Sequence, residues 1–279
     1  MTIPYMARFG PHREYADKLL GLALEYSEEK YGAFELIQQH EPTVIRRQLL
    51  ELEKGENLSV AVSMPMRDWL EKAQIVPFPL LKGLASYRMF FAVGKNSASF
   101  NRIDKLENLK ALKIGQGQGW STGKILEDNG FQVVYGGPYD TLFPMLFADR
   151  FQLLMRGAYE IGPELTRYRA DMPDLSVVEG IAIYTYLPMY FFVTKAQPLL
   201  AERVQYGLEK AYASGKLDAL FQQYFGETLI WIKSNKHRFF YVRNTNIDSS
   251  FYMHDKAYLL NEIVHLEEEH MEFPVGVSP

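Results

Sequence analysis

Apolar positions along the first third of the chain alternate between strand-like runs and helix-like stripes. Ile3–Ala7 is a short apolar run that predicts a strand, and Arg8-Phe-Gly-Pro-His turns from it into a helix. On that helix Tyr15, Leu19, Leu22 and Tyr26 recur at spacings of four and three, which places them on one buried stripe. Phe34–Ile37 predicts a second strand. Glu41-Pro-Thr then opens a helix with Ile45, Leu49 and Leu52 on one face, ended by Gly55 as its cap, and Leu58–Val62 predicts a third strand.

The middle of the chain repeats the pattern. Leu112–Gly115, Phe131–Tyr135 and Phe151–Met155 predict strands, and Ser121–Asn129, Tyr139–Ala148 and Glu160–Arg169 predict the helices between them. Two apolar-aromatic segments, Tyr87–Val93 and Pro188–Val193, bracket this region as strands. Leu200, Val204, Leu208 and Ala211 form a further helical stripe, followed by a helix over Leu217–Phe225, and beyond about residue 245 the pattern weakens. Alternation of this kind predicts an α/β fold with mainly parallel sheets. One α/β half interrupting another, with two strands crossing between them, gives a hinged pair of lobes. The boundaries expected are residues 1–90 with 191–245 for lobe 1, 91–190 for an inserted lobe 2, and 246–279 as a C-terminal extension packing on lobe 1.

Composition narrows the functions this fold can carry. A formal net charge of -4, with no dense Lys/Arg stripe, argues against a nucleic-acid partner. The absence of cysteine excludes disulfides, thiolate metal sites and a cysteine nucleophile. No run approaches the roughly 18 apolar residues of a membrane-spanning helix. The N-terminus shows no basic n-region or apolar h-region, so either the chain works in the cytoplasm or a signal peptide has been removed ahead of Met1. His265 and His270 fall on different helix faces, and Leu266-Glu-Glu-Glu-His is not a zincin motif; the acidic stretch reads as a solvated helix face. No metal site, cofactor motif or nucleophile elbow is expected.

A sharper reading comes from four segments in order. Ser63-Met-Pro-Met-Arg67 with Ile75-Val-Pro-Phe-Pro79, then Leu106–Trp120, then Phe147-Ala-Asp-Arg-Phe-Gln-Leu, then Leu208–Gly226, together resemble the family 3 extracellular solute-binding proteins. The resemblance covers roughly residues 1–245. It implies a type 2 periplasmic-binding-protein fold, with two sheets flanked by helices and joined by two hinge strands. It also implies a monomer that binds a small molecule between two lobes, export to the periplasm, and delivery to a membrane permease or a membrane sensor. Removal of a signal peptide is then the favoured reading of the N-terminus.

Candidate ligand contacts follow from the residues and the resemblance together. Arg67 matches the position whose guanidinium grips a ligand carboxylate in that family, although Met64 stands where the family has a threonine; the plain alternative is a surface ion pair with Asp68 or Glu71. Gly115–Gly123 is a glycine-rich turn entering a helix, where Gln118, Trp120, Ser121 and Thr122 meet free N–H groups; the same residues also suit a plain turn and N-cap. Nucleotide motifs fail there, because Gly119 precedes Gly123-Lys124 by too few residues and Ile125 stands where a hydroxyl is required. Arg156 falls near where amino-acid binders place an aspartate for the ligand amine, which points to an anionic or carboxylate-bearing ligand. Glu160 one turn on is either an acceptor for the ligand or the i,i+4 partner of Arg156. Tyr5, Tyr87, Tyr184 and Tyr190 lie near strand ends or crossings, where each either stacks on a ligand or packs in the core.

The reading is therefore a solute-binding protein, not an enzyme. Its main competitor is a dehydratase-like enzyme acting on a cyclic diacid in the same fold, with Glu160 as the proton donor. An intracellular effector-binding domain of a regulator is a third reading, which lacks a helix-turn-helix segment in its favour.

Overall fold

A computed structural model describes residues 1–6, 11–39, 45–94 and 97–272 of the chain. The turn expected at residues 8–10 and the helix opening at residues 41–43 lie outside them. Among the described residues the strands run β1 (Thr2–Met6), β2 (Glu35–Gln39), β3 (Val60–Ser63), β4 (Ala73–Val76), β5 (Tyr87–Val93), β6 (Lys113–Gly117), β7 (Gln132–Gly136), β8 (Leu153–Gly157), β9 (Leu175–Tyr184), β10 (Tyr190–Thr194) and β11 (Arg238–Tyr241).

The chain divides into two compact units. The first comprises Met1–Lys82, Pro188–Glu227 and Met253–Tyr258; the second comprises Gly83–Leu187, Thr228–Tyr252 and residues 259–272. In the first unit a five-stranded sheet runs in the order β2-β1-β3-β10-β4. Here β1 pairs in parallel with β2 and β3, while β10 lies antiparallel to β3 and β4. Helices Pro11–Glu25 and Pro198–Ala213 pack on each other, and Leu200, Val204, Leu208 and Ala211 are all fully buried, as their spacing predicts. On the first helix Tyr15 and Leu19 are buried with Ala16, Leu20, Ala23 and Leu24, whereas Leu22 and Tyr26 are only half-buried, so the buried face is turned away from the stripe predicted. The Tyr15 ring meets Phe225 edge-on at 5.0 Å between centroids, and its hydroxyl donates to the Leu80 carbonyl at 3.0 Å.

The second unit holds a six-stranded sheet in the order β11-β9-β5-β8-β6-β7. Strands β6, β7 and β8 run parallel, β5 lies antiparallel to β8 and β9, and β11 is parallel to β9. Both sheets are mainly parallel, as the alternation predicts, and each carries one antiparallel strand. The antiparallel members are β5 and β10, the two strands expected to cross between halves; each begins just after the chain enters the unit whose sheet it joins.

The C-terminal segment departs from expectation. Only Met253–Tyr258 belongs to the first unit, whereas Thr228–Tyr252 and residues 259–272 belong to the second. Tyr252, Leu259, Ile263 and Leu266 are buried in the second unit's apolar cluster with Phe91, Phe143 and Tyr184, which holds the acidic helix Asn261–Glu272 there. Met253–Tyr258 is held to the first unit by aromatic packing: Tyr258 lies 4.5 Å from Phe78 and 5.2 Å from Tyr212 between ring centroids. No described helix is long and apolar enough to cross a membrane.

Candidate functional site

Parallel strands aim their carboxyl ends at one edge of a sheet, and open α/β sheets bind ligands at that edge. In the first unit this edge carries Tyr5 on β1 and Arg67, which follows β3. Arg67 opens the helix Arg67–Lys72 and is solvent-exposed; its Nε donates to Glu71 Oε1 at 2.8 Å. That pair is the surface alternative weighed from sequence, and pairs of this kind contribute little. Tyr5 is half-buried, opposite Gln38 in the register of β1 and β2.

In the second unit the carboxyl end of β6 leads through Gln118 and Gly119 to Trp120, which sits at the N-cap of helix Ser121–Asp128. Gln118 is exposed and its N–H donates to the Gly136 carbonyl at 3.1 Å. Trp120 is partly buried, while Ser121 and Thr122 are buried. The Thr122 hydroxyl is committed inside the unit: it donates to Gln116 Oε1 at 2.5 Å, and the Gln116 amide donates to the Gly115 carbonyl at 2.7 Å. Gly117 has no side chain where the Trp120 ring lies, and a Cβ there would stand 2.3 Å from the ring.

The carboxyl end of β8 carries a buried ionic network. Arg156 Nε donates to both Glu164 oxygens at 3.0 and 2.9 Å, and its Nη2 donates to Glu164 Oε1 at 2.6 Å and to Glu160 Oε1. Glu160 closes the N-terminus of helix Ala158–Tyr168 by accepting the Gly157 N–H at 2.8 Å. Arg88 Nη2 lies 3.8 Å from Glu160 Oε2, reached from β5, where Arg88 stands opposite Gly157. Tyr139 donates to Glu164 Oε1 at 2.8 Å. The Arg156 guanidinium carbon lies 4.7 Å from the Trp120 ring centroid and 5.3 Å from that of Tyr139.

Two guanidinium groups and two carboxylates leave this network formally neutral. Burial works against the Arg156 charge, but Glu160 and Glu164 outweigh it and hold the guanidinium protonated. Burial pushes the Glu164 carboxyl upward; Arg156 opposes this and Glu160 adds to it. Groups so enclosed stay charged only because each is paired and hydrogen-bonded.

The structure thus brings Trp120, Arg156 and Glu160 together, with Gln118, Ser121 and Thr122 at the neighbouring strand end. Three of the candidate tyrosines are core residues. Tyr87 is 4% exposed, with its hydroxyl 2.6 Å from His237 Nδ1. Tyr190 is 1% exposed and donates to the buried Asp255. Tyr184 is fully buried as well. Glu164, Tyr139 and Arg88 escaped the sequence reading. Glu164 had a signal, since Arg156, Glu160 and Glu164 repeat at intervals of four; Arg88 and Tyr139 join only through sheet register and packing. Among the described residues no cluster of His, Asp and Glu is arranged to hold a metal ion.

No protein family and no curated protein matches the sequence. Solved structures do match. The substrate-binding protein of an amino acid ABC transporter is 14% identical, with a TM-score of 0.57 over 81% of this chain and all of that one. A Salmonella typhimurium periplasmic binding protein of high arginine specificity is 13% identical, with a TM-score of 0.59 over 80% of this chain and 99% of that one. An ancestral amino-acid-binding protein, a precursor of cyclohexadienyl dehydratase, is 14% identical, with a TM-score of 0.54 over 80% of this chain and 95% of that one. At such identities what is shared is the backbone arrangement: the chain has the type 2 periplasmic-binding-protein fold, built as two α/β units from a chain that leaves the first and returns to it.

Proposed function

We propose that this chain is a solute-binding protein that takes up a small ligand reversibly and serves transport or sensing at a bacterial membrane, outside the cytoplasm. The observation that carries the reading is the fold, which matches substrate-binding proteins over nearly their whole length. Placement of polar groups supports it. Each unit presents them at the carboxyl ends of its parallel strands, where ligands bind in such sheets. Arg67 is the candidate for a ligand carboxylate, because its surface pair with Glu71 is exposed and readily exchanged. Arg156 is less suited to that task, because two glutamates already hold it.

The dehydratase-like reading requires a carboxylic acid free to give up a proton. Glu160, the candidate from sequence, is held by the Arg156 guanidinium and the Gly157 N–H, with Arg88 close by, which suits a fixed structural carboxylate better than a proton donor.

A thermal-shift screen against amino acids, dicarboxylates, polyamines, sugars and cyclic diacids tests the proposal. A ligand at a hundred times its Kd stabilises the native state by about 2.7 kcal/mol, which raises Tm by roughly 5–10 °C at this chain length. Stabilisation by a carboxylate-bearing solute that Arg67→Ala abolishes is the expected result. A panel without any shift contradicts the proposal.

A further inference from the structure

We infer that the solute carries a planar ring that stacks on the Trp120 indole, and that Arg156 is the residue that positions this indole. The inference rests on the solute-binding reading and adds to it the chemical class of the ligand. Trp120 stands at the carboxyl end of β6, where the glycine turn enters its helix, and is half-buried against the second unit's apolar cluster. Its place is built from two directions. Gly117 leaves the volume that the indole occupies, since any Cβ there would fall 2.3 Å from the ring. The Arg156 guanidinium carbon approaches the ring centroid to 4.7 Å, within the range of a cation–π contact.

Arg156 itself is fixed. Glu164 accepts from its Nε at 3.0 and 2.9 Å, Glu160 accepts from its Nη2, and Glu160 is tied in turn to the Gly157 N–H at 2.8 Å. The guanidinium plane is therefore set by carboxylates before any ligand arrives. Its charge is already matched, so it offers a ligand carboxylate little, whereas the indole it supports remains partly exposed. An aromatic side chain immobilised in this way binds flat groups without losing rotamer freedom on association.

Calorimetric titration of the full chain tests the inference with two sets of probes: indole-3-acetate, L-phenylalanine and nicotinate carry rings, while succinate, L-glutamate and putrescine do not. The expected result is saturable binding of a ring-bearing probe, weakened about tenfold or more in Trp120→Ala and largely retained in Trp120→Phe. Binding of a ring-free probe equally by the wild type and Trp120→Ala overturns the inference and leaves the solute-binding reading standing. Binding of neither set overturns both. The positioning role is read separately, by acrylamide quenching of the Trp120 emission, taken as the difference between each protein and its Trp120→Phe counterpart. Arg156→Lys keeps the charge and loses the planar fork, so quenching should rise about twofold. Glu164→Gln, a milder change, should move it the same way. Unchanged quenching in both variants, each with wild-type circular dichroism, overturns the positioning role.

Discussion

At Arg156 the chain encloses a positive charge and surrounds it with two carboxylates, a tyrosine ring and an indole. Removing one partner from such a network leaves the others buried and unpaired, which is costlier than the pair was worth. Arg156→Ala should therefore lower unfolding free energy by about 3–5 kcal/mol, measured by urea denaturation. A loss under 1 kcal/mol would show that the glutamates find solvent when the guanidinium is gone. His237 offers a second test at this scale. Burial lowers its imidazole pKa from 6.5, with the Asn235 backbone opposing, so the folded state favours the neutral ring that faces the Tyr87 hydroxyl. Its contribution to stability is complete above about pH 6.5 and is lost as pH falls through the folded value. Stability of the wild type should decline between about pH 7 and pH 5, and His237→Gln should flatten that slope. Sequence made Arg156, Glu160 and Trp120 visible through the turn and the spacing of four. The Arg156–Glu160 pair was one of the alternatives that spacing offered; the share of the donors taken by Glu164 was missed, and Arg88 and Tyr139 reach the network only through register and packing.

Among the elements, those with strong periodicity were the ones read correctly. The stripe over Leu200 to Ala211 was legible, and β5 was placed on its observed bounds. Strand β4 was not, since it follows helix Arg67–Lys72 with no turn residue between them. Strand β9 was hidden by Glu179 and Gly180 in its interior. Gly207 is one close approach that spacing alone does not reveal: a Cβ there would lie 1.7 Å from the Ala23 carbonyl oxygen, where helix Pro198–Ala213 meets helix Pro11–Glu25. Gly207→Ala should force the helices apart and cost about 3 kcal/mol, seen as a lower Tm. An unchanged Tm would mean that the two helices slide freely on each other.

Across the whole molecule, the fold was legible in the order of four loosely matched segments, and the ownership of the C-terminal chain was not. Its boundaries depend on where Tyr252, Ile263 and Leu266 find an apolar cluster, and on Asp255 meeting Tyr190, both of them long-range choices that local pattern does not encode. The proposed function requires that the chain bind a small solute and leave it unchanged. Titration calorimetry with the solute that stabilises the protein most, followed by nuclear magnetic resonance of the recovered solute, addresses that claim directly. The account predicts saturable binding of about one solute per chain, with the compound recovered intact after long incubation. A product formed from it, or heat that never saturates, would contradict the account.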